Sequence, residues 1–116
     1  MHWIAELSIN EDKQSEFEKL ANEMMSDTVR RSEPATRNYE WFLAEGGNKC
    51  VIIETYDSSN TGLVHVRGEG INKIFPEILK IAKNITRFEI CDKPSEELVR
   101  EIAYDYLSVY RFINGF

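Results

Sequence analysis

Along the first segment, residues 2–9, apolar and polar positions alternate. Trp3, Ala5, Leu7 and Ile9 fall on one side, and His2, Ile4, Glu6 and Ser8 on the other. A period of two with polar residues on one side predicts a strand. The period then changes. Asn10, Glu11 and Asp12 supply a capping side chain and two acids suited to the positive end of a helix. Phe17, Leu20, Met24 and Thr28 follow at helical spacing, and Ala21, Met25 and Val29 widen the stripe. This helix is expected to run to about Arg31 and to stop at Glu33 and Pro34, because the residue before a proline is pushed out of the helical region.

Residues 37–45 and 49–56 return to period two. In the first, Tyr39, Trp41 and Leu43 share a face. In the second, Cys50, Ile52, Glu54 and Tyr56 share one face and Val51, Ile53 and Thr55 the other. Gly46, Gly47 and Asn48 between them supply the positive φ of a hairpin turn. Asp57, Ser58 and Ser59 cap a second helix over about 59–67. Gly68-Glu69-Gly70 interrupts it, and helix resumes near Ile71 with Ile74, Phe75, Ile78 and Leu79 inward. Pro76 sits in the first turn of that second piece, where a missing amide costs least. Residues 84–92 read as a last strand. Pro94 to Glu97 opens a final helix with Leu98, Ile102 and Tyr106 on one stripe, and the tail from Tyr110 to Phe116 shows no period.

The order is β-α-β-β-α-β plus a C-terminal helix, which predicts an α+β, ferredoxin-like domain. Its four-stranded antiparallel sheet carries helices on one face. The expected division is a ferredoxin-like domain over 1–94 and a helix and tail over 95–116 packed on it. Helices on one face leave the other face of the sheet open. Because both faces of the hairpin carry large apolar groups, a homodimer through the open sheet face is expected.

Composition narrows the function classes. With 116 residues, one domain is expected. Fourteen Lys and Arg against twenty Asp and Glu give a net charge of −6, which argues against nucleic acid or an anionic membrane as a partner. No run approaches the roughly 20 apolar residues of a membrane span. The start has no cationic leader, so a cytoplasmic location is expected. Cys50 and Cys91 match no zinc spacing and are expected to be buried thiols. With His2 and His65 the only histidines, no metal site is expected.

Two residues stand out as candidates for chemistry. His65 lies in the second helix among Leu63, Val64 and Val66, and an imidazole there can take a proton from an acidic phenol or carbon acid. Glu69 would orient its ring only if the helix ran on through Gly68. The plainer alternative is a packing histidine bonded to a backbone carbonyl. Glu54 is flanked by Val51, Ile52, Ile53 and Tyr56, so burial should raise its pKa. Its alternative is an ion pair, with Arg87 or with a second subunit. Tyr39, Trp41 and Tyr56 either line an aromatic pocket or belong to the core.

The runs Tyr39 to Glu45 and Cys50 to Ser58, followed by His65, resemble the antibiotic biosynthesis monooxygenase superfamily. The later runs Thr86 to Ile90, Pro94 to Leu98 and Asn114-Gly115-Phe116 resemble a bacterial subgroup with a C-terminal extension. The resemblance implies a dimeric α+β barrel with a cavity between each sheet and its helices. It also implies a cofactor-independent monooxygenase acting on a small quinol or polyphenol-type aromatic substrate. His65 would then be the base, Glu54 the strand acid, and Tyr39, Trp41, Tyr56 and Arg87 the substrate-binding set. The alternative within the same fold is a non-catalytic dimer that binds a small ligand. Pro34-Ala35-Thr36 stands where relatives often carry Pro-Gly-Thr. The Asn, Trp and His set of the heme-degrading branch finds no match, since Asn10 follows the first strand and Trp41 lies far from His65 in sequence.

Overall fold

A computed structural model describes residues 1–102 and 107–116. Strands β1 (His2–Ile9), β2 (Asn38–Leu43), β3 (Lys49–Thr55) and β4 (Ala82–Cys91) are joined by β5 (Leu107–Tyr110) in one sheet of order β2-β3-β1-β4-β5. The first four pair antiparallel and β5 runs parallel to β4. The sheet thus has five strands where the alternation predicts four. Leu107 to Tyr110 is only four residues long, with Leu107 half-buried and the rest exposed, so no alternation marks it. The expected Tyr106 position on the last helical stripe lies outside the described residues.

The first helical stretch is not one regular helix. A short turn (Glu11–Lys13) leads into α1 (Gln14–Asn22), then a π segment (Glu23–Val29), then α2 (Arg30–Ser32). Asn10 does not cap it with its side chain; its Nδ2 donates instead to the carbonyl of Ile81, 2.9 Å away. Helix α3 (Ser59–Arg67) has a reciprocal cap, in which Ser58 Oγ accepts from the Thr61 amide and Thr61 Oγ1 accepts from the Ser58 amide. A second π segment (Gly70–Ile74) and α4 (Phe75–Ile81) follow, and α5 (Glu96–Ile102) crosses from β4 to β5. Ser95 ties the start of α5 to that of α3, since its amide donates to Ser59 Oγ. No helix among the described residues is long and apolar enough to cross a membrane.

The core lies between the helices and one face of the sheet. Trp3, Leu7, Ile9, Ile52 and Ile90 come from the strands, and Phe17, Met24, Ile78 and Leu98 from the helices. Cys50 is buried there, and burial pushes its thiol up to about 12; Cys91 is only half-buried. The other face carries Ile4, Val51 and Ile53 half-buried, and Phe42 is 51% exposed. Phe112, Ile113 and Phe116, in the tail beyond β5, are exposed as well.

Candidate functional site

Three elements converge on His65. Helix α3 presents its ring to the sheet, β3 brings Glu54, and the turn after α2 brings Glu33. All three side chains are buried, His65 at 2% exposure and Glu54 at 5%. His65 Nδ1 donates to the Glu33 carboxylate, 3.0 Å from Oε1 and 3.1 Å from Oε2. Nε2 has no hydrogen-bond partner and lies 3.6 Å from Glu54 Oε2. That same oxygen accepts from the Tyr56 hydroxyl at 2.6 Å. Tyr39 and Tyr56 flank the imidazole with ring centroids at 5.1 and 5.6 Å.

Geometry and burial set the protonation. For His65, desolvation acts downward, but the charge of Glu54 and the hydrogen bond and charge of Glu33 outweigh it, so its pKa is raised. For Glu54, burial is the largest effect and acts upward. His65 and the Tyr56 hydroxyl oppose it, Glu33 adds to it, and the net shift is upward. Burial likewise pushes the phenols of Tyr39 and Tyr56 up. Burying two adjacent carboxylates with a single cation is costly. Burial therefore favours the neutral form of Glu54.

A cavity of about 350 Å³ opens beside this cluster, walled by Trp3, Tyr39, Ile52, Glu54, His65 and Phe88 among others. That is at the small end of the roughly 300–1,000 Å³ range of ligand pockets. Ile102 and Glu101 of α5 also line it. A buried polar atom without a partner needs an explanation. Two belong to residues of this wall, His65 Nε2 and the indole nitrogen of Trp3. A ligand with an apolar body and one or two polar groups would satisfy them. A larger cleft of about 590 Å³ is lined by Glu33 and Tyr39 together with Arg30 and Arg37.

The structure brings together four of the residues singled out in the sequence: His65, Glu54 and Tyr39 in the wall, and Tyr56 directly behind Glu54. Trp41 faces the helices but packs on Phe17 and Tyr39, outside this wall. Arg87 is on the opposite face, paired to Glu89 at 2.7 Å, and pairs there instead of with Glu54. Glu69 binds Lys73, one turn on, and does not orient the histidine. Glu33 does so, although the sequence marks it only as the end of a helix. Trp3 likewise reads only as a strand residue. The tail residues Tyr110 to Ile113 line a separate depression with Met1, His2 and Cys91.

The glycines around Glu69 have a local reason. A Cβ on Gly68 would stand 2.9 Å from Glu33 Oε1, so the absence of a side chain there lets Glu33 reach the ring. A Cβ on Gly70 would stand 3.0 Å from Val29, where the two π segments meet.

A family description for antibiotic biosynthesis monooxygenases matches residues 1–76. No curated protein matches the sequence. Among solved structures, MupZ from Pseudomonas fluorescens superposes with a TM-score of 0.83 at 18% identity, over 99% of this chain and 91% of that one. An antibiotic biosynthesis monooxygenase superposes at 0.64 and 20% identity, over 72% and 86%. Rv0793 from Mycobacterium tuberculosis superposes at 0.63 and 19% identity, over 73% and 86%. At these identities the likeness is one of fold. The wider span of the first match takes in the α5–β5 extension.

Proposed function

The chain belongs to the antibiotic biosynthesis monooxygenase family, and from that premise we propose that it is a cofactor-independent monooxygenase for a small quinol or polyphenol-type aromatic substrate. The observation that supports this reading is the unpartnered Nε2 of His65, a residue of the wall of a mostly apolar cavity, with Nδ1 held by Glu33. A general base needs a free lone pair within reach of the substrate and a partner that fixes its tautomer.

The steps follow from that arrangement. A phenolic O–H or an activated C–H gives its proton to His65 Nε2, and the Glu33 carboxylate stabilises the imidazolium. The electron-rich anion passes one electron to O₂. The two radicals combine at carbon as a peroxide, which takes the proton back from His65. Loss of water leaves a carbonyl. One oxygen atom ends in the product and the other in water, and the substrate carbon supplies all four electrons. The protein contributes proton transfer, orientation and exclusion of water. Tyr39 flanks the aromatic ring. Tyr56 acts through Glu54, since its hydroxyl is committed to that carboxyl.

The apolar outer sheet face, with Phe42 half-exposed, supports a homodimer through that face. The exposed tail offers further apolar area to a partner copy.

The test is isotopic. Anthrones and naphthols incubated with the purified protein under ¹⁸O₂ should give a quinone carrying one labelled oxygen, with the other in water. Saturable binding of the same compounds with no labelled product would make the chain a ligand-binding member of the family.

A further inference from the structure

We infer that the same cavity carries a second, redox-neutral activity: keto–enol interconversion of small cyclic ketones, with His65 moving the carbon-bound proton and Glu54 serving the carbonyl oxygen. The inference rests on the acid–base part of the reading above and not on its O₂ chemistry.

Oxygenation alone needs one base. This site has more. Two groups able to exchange a proton, the His65 imidazole as acceptor and the Glu54 carboxyl as donor, belong to one cavity wall with their nearest atoms 3.6 Å apart. They are too far apart to form a good hydrogen bond with each other. They are close enough for one planar ketone to lie with its α-carbon against the imidazole and its carbonyl oxygen against the carboxyl. Each has its own support. Glu33 holds the far nitrogen of His65, and the Tyr56 hydroxyl occupies Glu54 Oε2, which leaves Oε1 to carry the carboxyl proton. The rest of the wall is mostly apolar, with Asn72 and Glu101 its other polar members, and the Trp3 indole N–H lacks a partner. A carbonyl oxygen is an acceptor of the kind such a donor needs.

Burial favours the neutral form of Glu54. Pairs of titratable groups whose surroundings separate their roles mark acid–base assignments.

The proton balance closes. The α-C–H bond breaks and its proton goes to Nε2, while the carbonyl oxygen takes the proton of Glu54. The product is the enol, beside an imidazolium and a carboxylate. The imidazolium then returns its proton to Glu54 and the site is reset. Nothing is oxidised or reduced. Run backwards in heavy water, the same steps place deuterium on the α-carbon.

The experiment uses the full chain under argon in D₂O, with 1-tetralone as probe, and follows loss of the C2 proton signal by NMR. The expected result is exchange at least about a hundredfold faster than in buffer, within the range of general acid–base catalysis. His65→Gln and Glu54→Gln should each slow it at least about tenfold, with the fold (by circular dichroism) and probe affinity retained. If Glu54→Gln fails to fold, Glu54→Asp is read instead, and it should show the same loss because its carboxyl is drawn back by one carbon. Three results overturn the inference: no saturable binding of 1-tetralone at millimolar concentration, binding without accelerated exchange, or exchange unaffected by both substitutions. The two readings separate cleanly. Exchange under argon with no O₂ uptake in air from any anthrone upholds this activity and removes the oxygenase; O₂ uptake without exchange does the reverse.

Discussion

His65 Nδ1 and the Glu33 carboxylate, 32 residues apart in sequence, meet at 3.0 Å in the buried interior. This contact holds Nδ1 and leaves Nε2 as the ring nitrogen without a partner. It also contributes, through its hydrogen bond and charge, to the raised pKa of His65. Glu33→Gln keeps a hydrogen-bond acceptor but removes the charge. The imidazole should then lose its proton at lower pH than in the wild type, as read from ¹⁵N chemical shifts. Turnover should fall by about tenfold or more. An unchanged His65 titration would remove Glu33 from this role.

Both raised groups make stability depend on pH in the same direction. In the unfolded chain a glutamate titrates near 4.3 and a histidine near 6.5, roughly. The folded chain holds both protons more tightly. Stability is therefore fully present below the unfolded values and is lost as pH rises through the folded ones. The melting temperature should fall between about pH 5 and pH 9. Each tenfold gain in proton affinity on folding corresponds to about 1.4 kcal/mol. Glu54→Gln cannot ionise, so its melting curve should be flatter across that window. A wild-type melting temperature that rises toward pH 9 would contradict the assignment.

Gly62 lets helix α3 approach β1. A Cβ there would stand 2.6 Å from Trp3 Cζ2. Gly62→Ala should cost about 1–3 kcal/mol by overpacking, measured by urea unfolding. Gly68→Ala presses on Glu33 Oε1 and on the carbonyl of Val64. Its larger effect should be on the His65 titration. If Gly68→Ala leaves that titration at its wild-type value, Gly68 does not make room for Glu33.

The proposed dimer buries the outer sheet face. Ile53, half-buried near the middle of that face, should not tolerate a charge at the interface. Sedimentation is expected to give twice the chain mass for the wild type and a single chain for Ile53→Glu. A monomeric wild type at micromolar concentration would sink the dimer.

Much of this arrangement is legible along the chain. Alternation marks β1 to β4 because one face of each packs on helices, and Ser58 announces α3 through its cap. His65 and Glu54 stand out because a charged or titratable group among apolar neighbours is rare. Glu33 does not, because it follows Arg30, Arg31 and Ser32 at a helix end and its burial is created by Gly68 and α3 from elsewhere in the sequence. Arg87 shows the converse limit. It alternates with Phe88 and Ile90, which face the helices, and pairs in register with Glu6, so it lies on the outer face, away from Glu54. Strand β5 is short and parallel to its neighbour, so its pairing comes from the α5 crossover and not from any local pattern.

The most direct test of the central claim is O₂ uptake with an anthrone, without added metal or flavin, for the wild type and His65→Gln across pH. The account predicts uptake that rises with pH through a value above the ordinary histidine range, as His65 loses its proton, and at least about a hundredfold loss in His65→Gln with the fold intact. Wild-type uptake that persists unchanged in His65→Gln would contradict it.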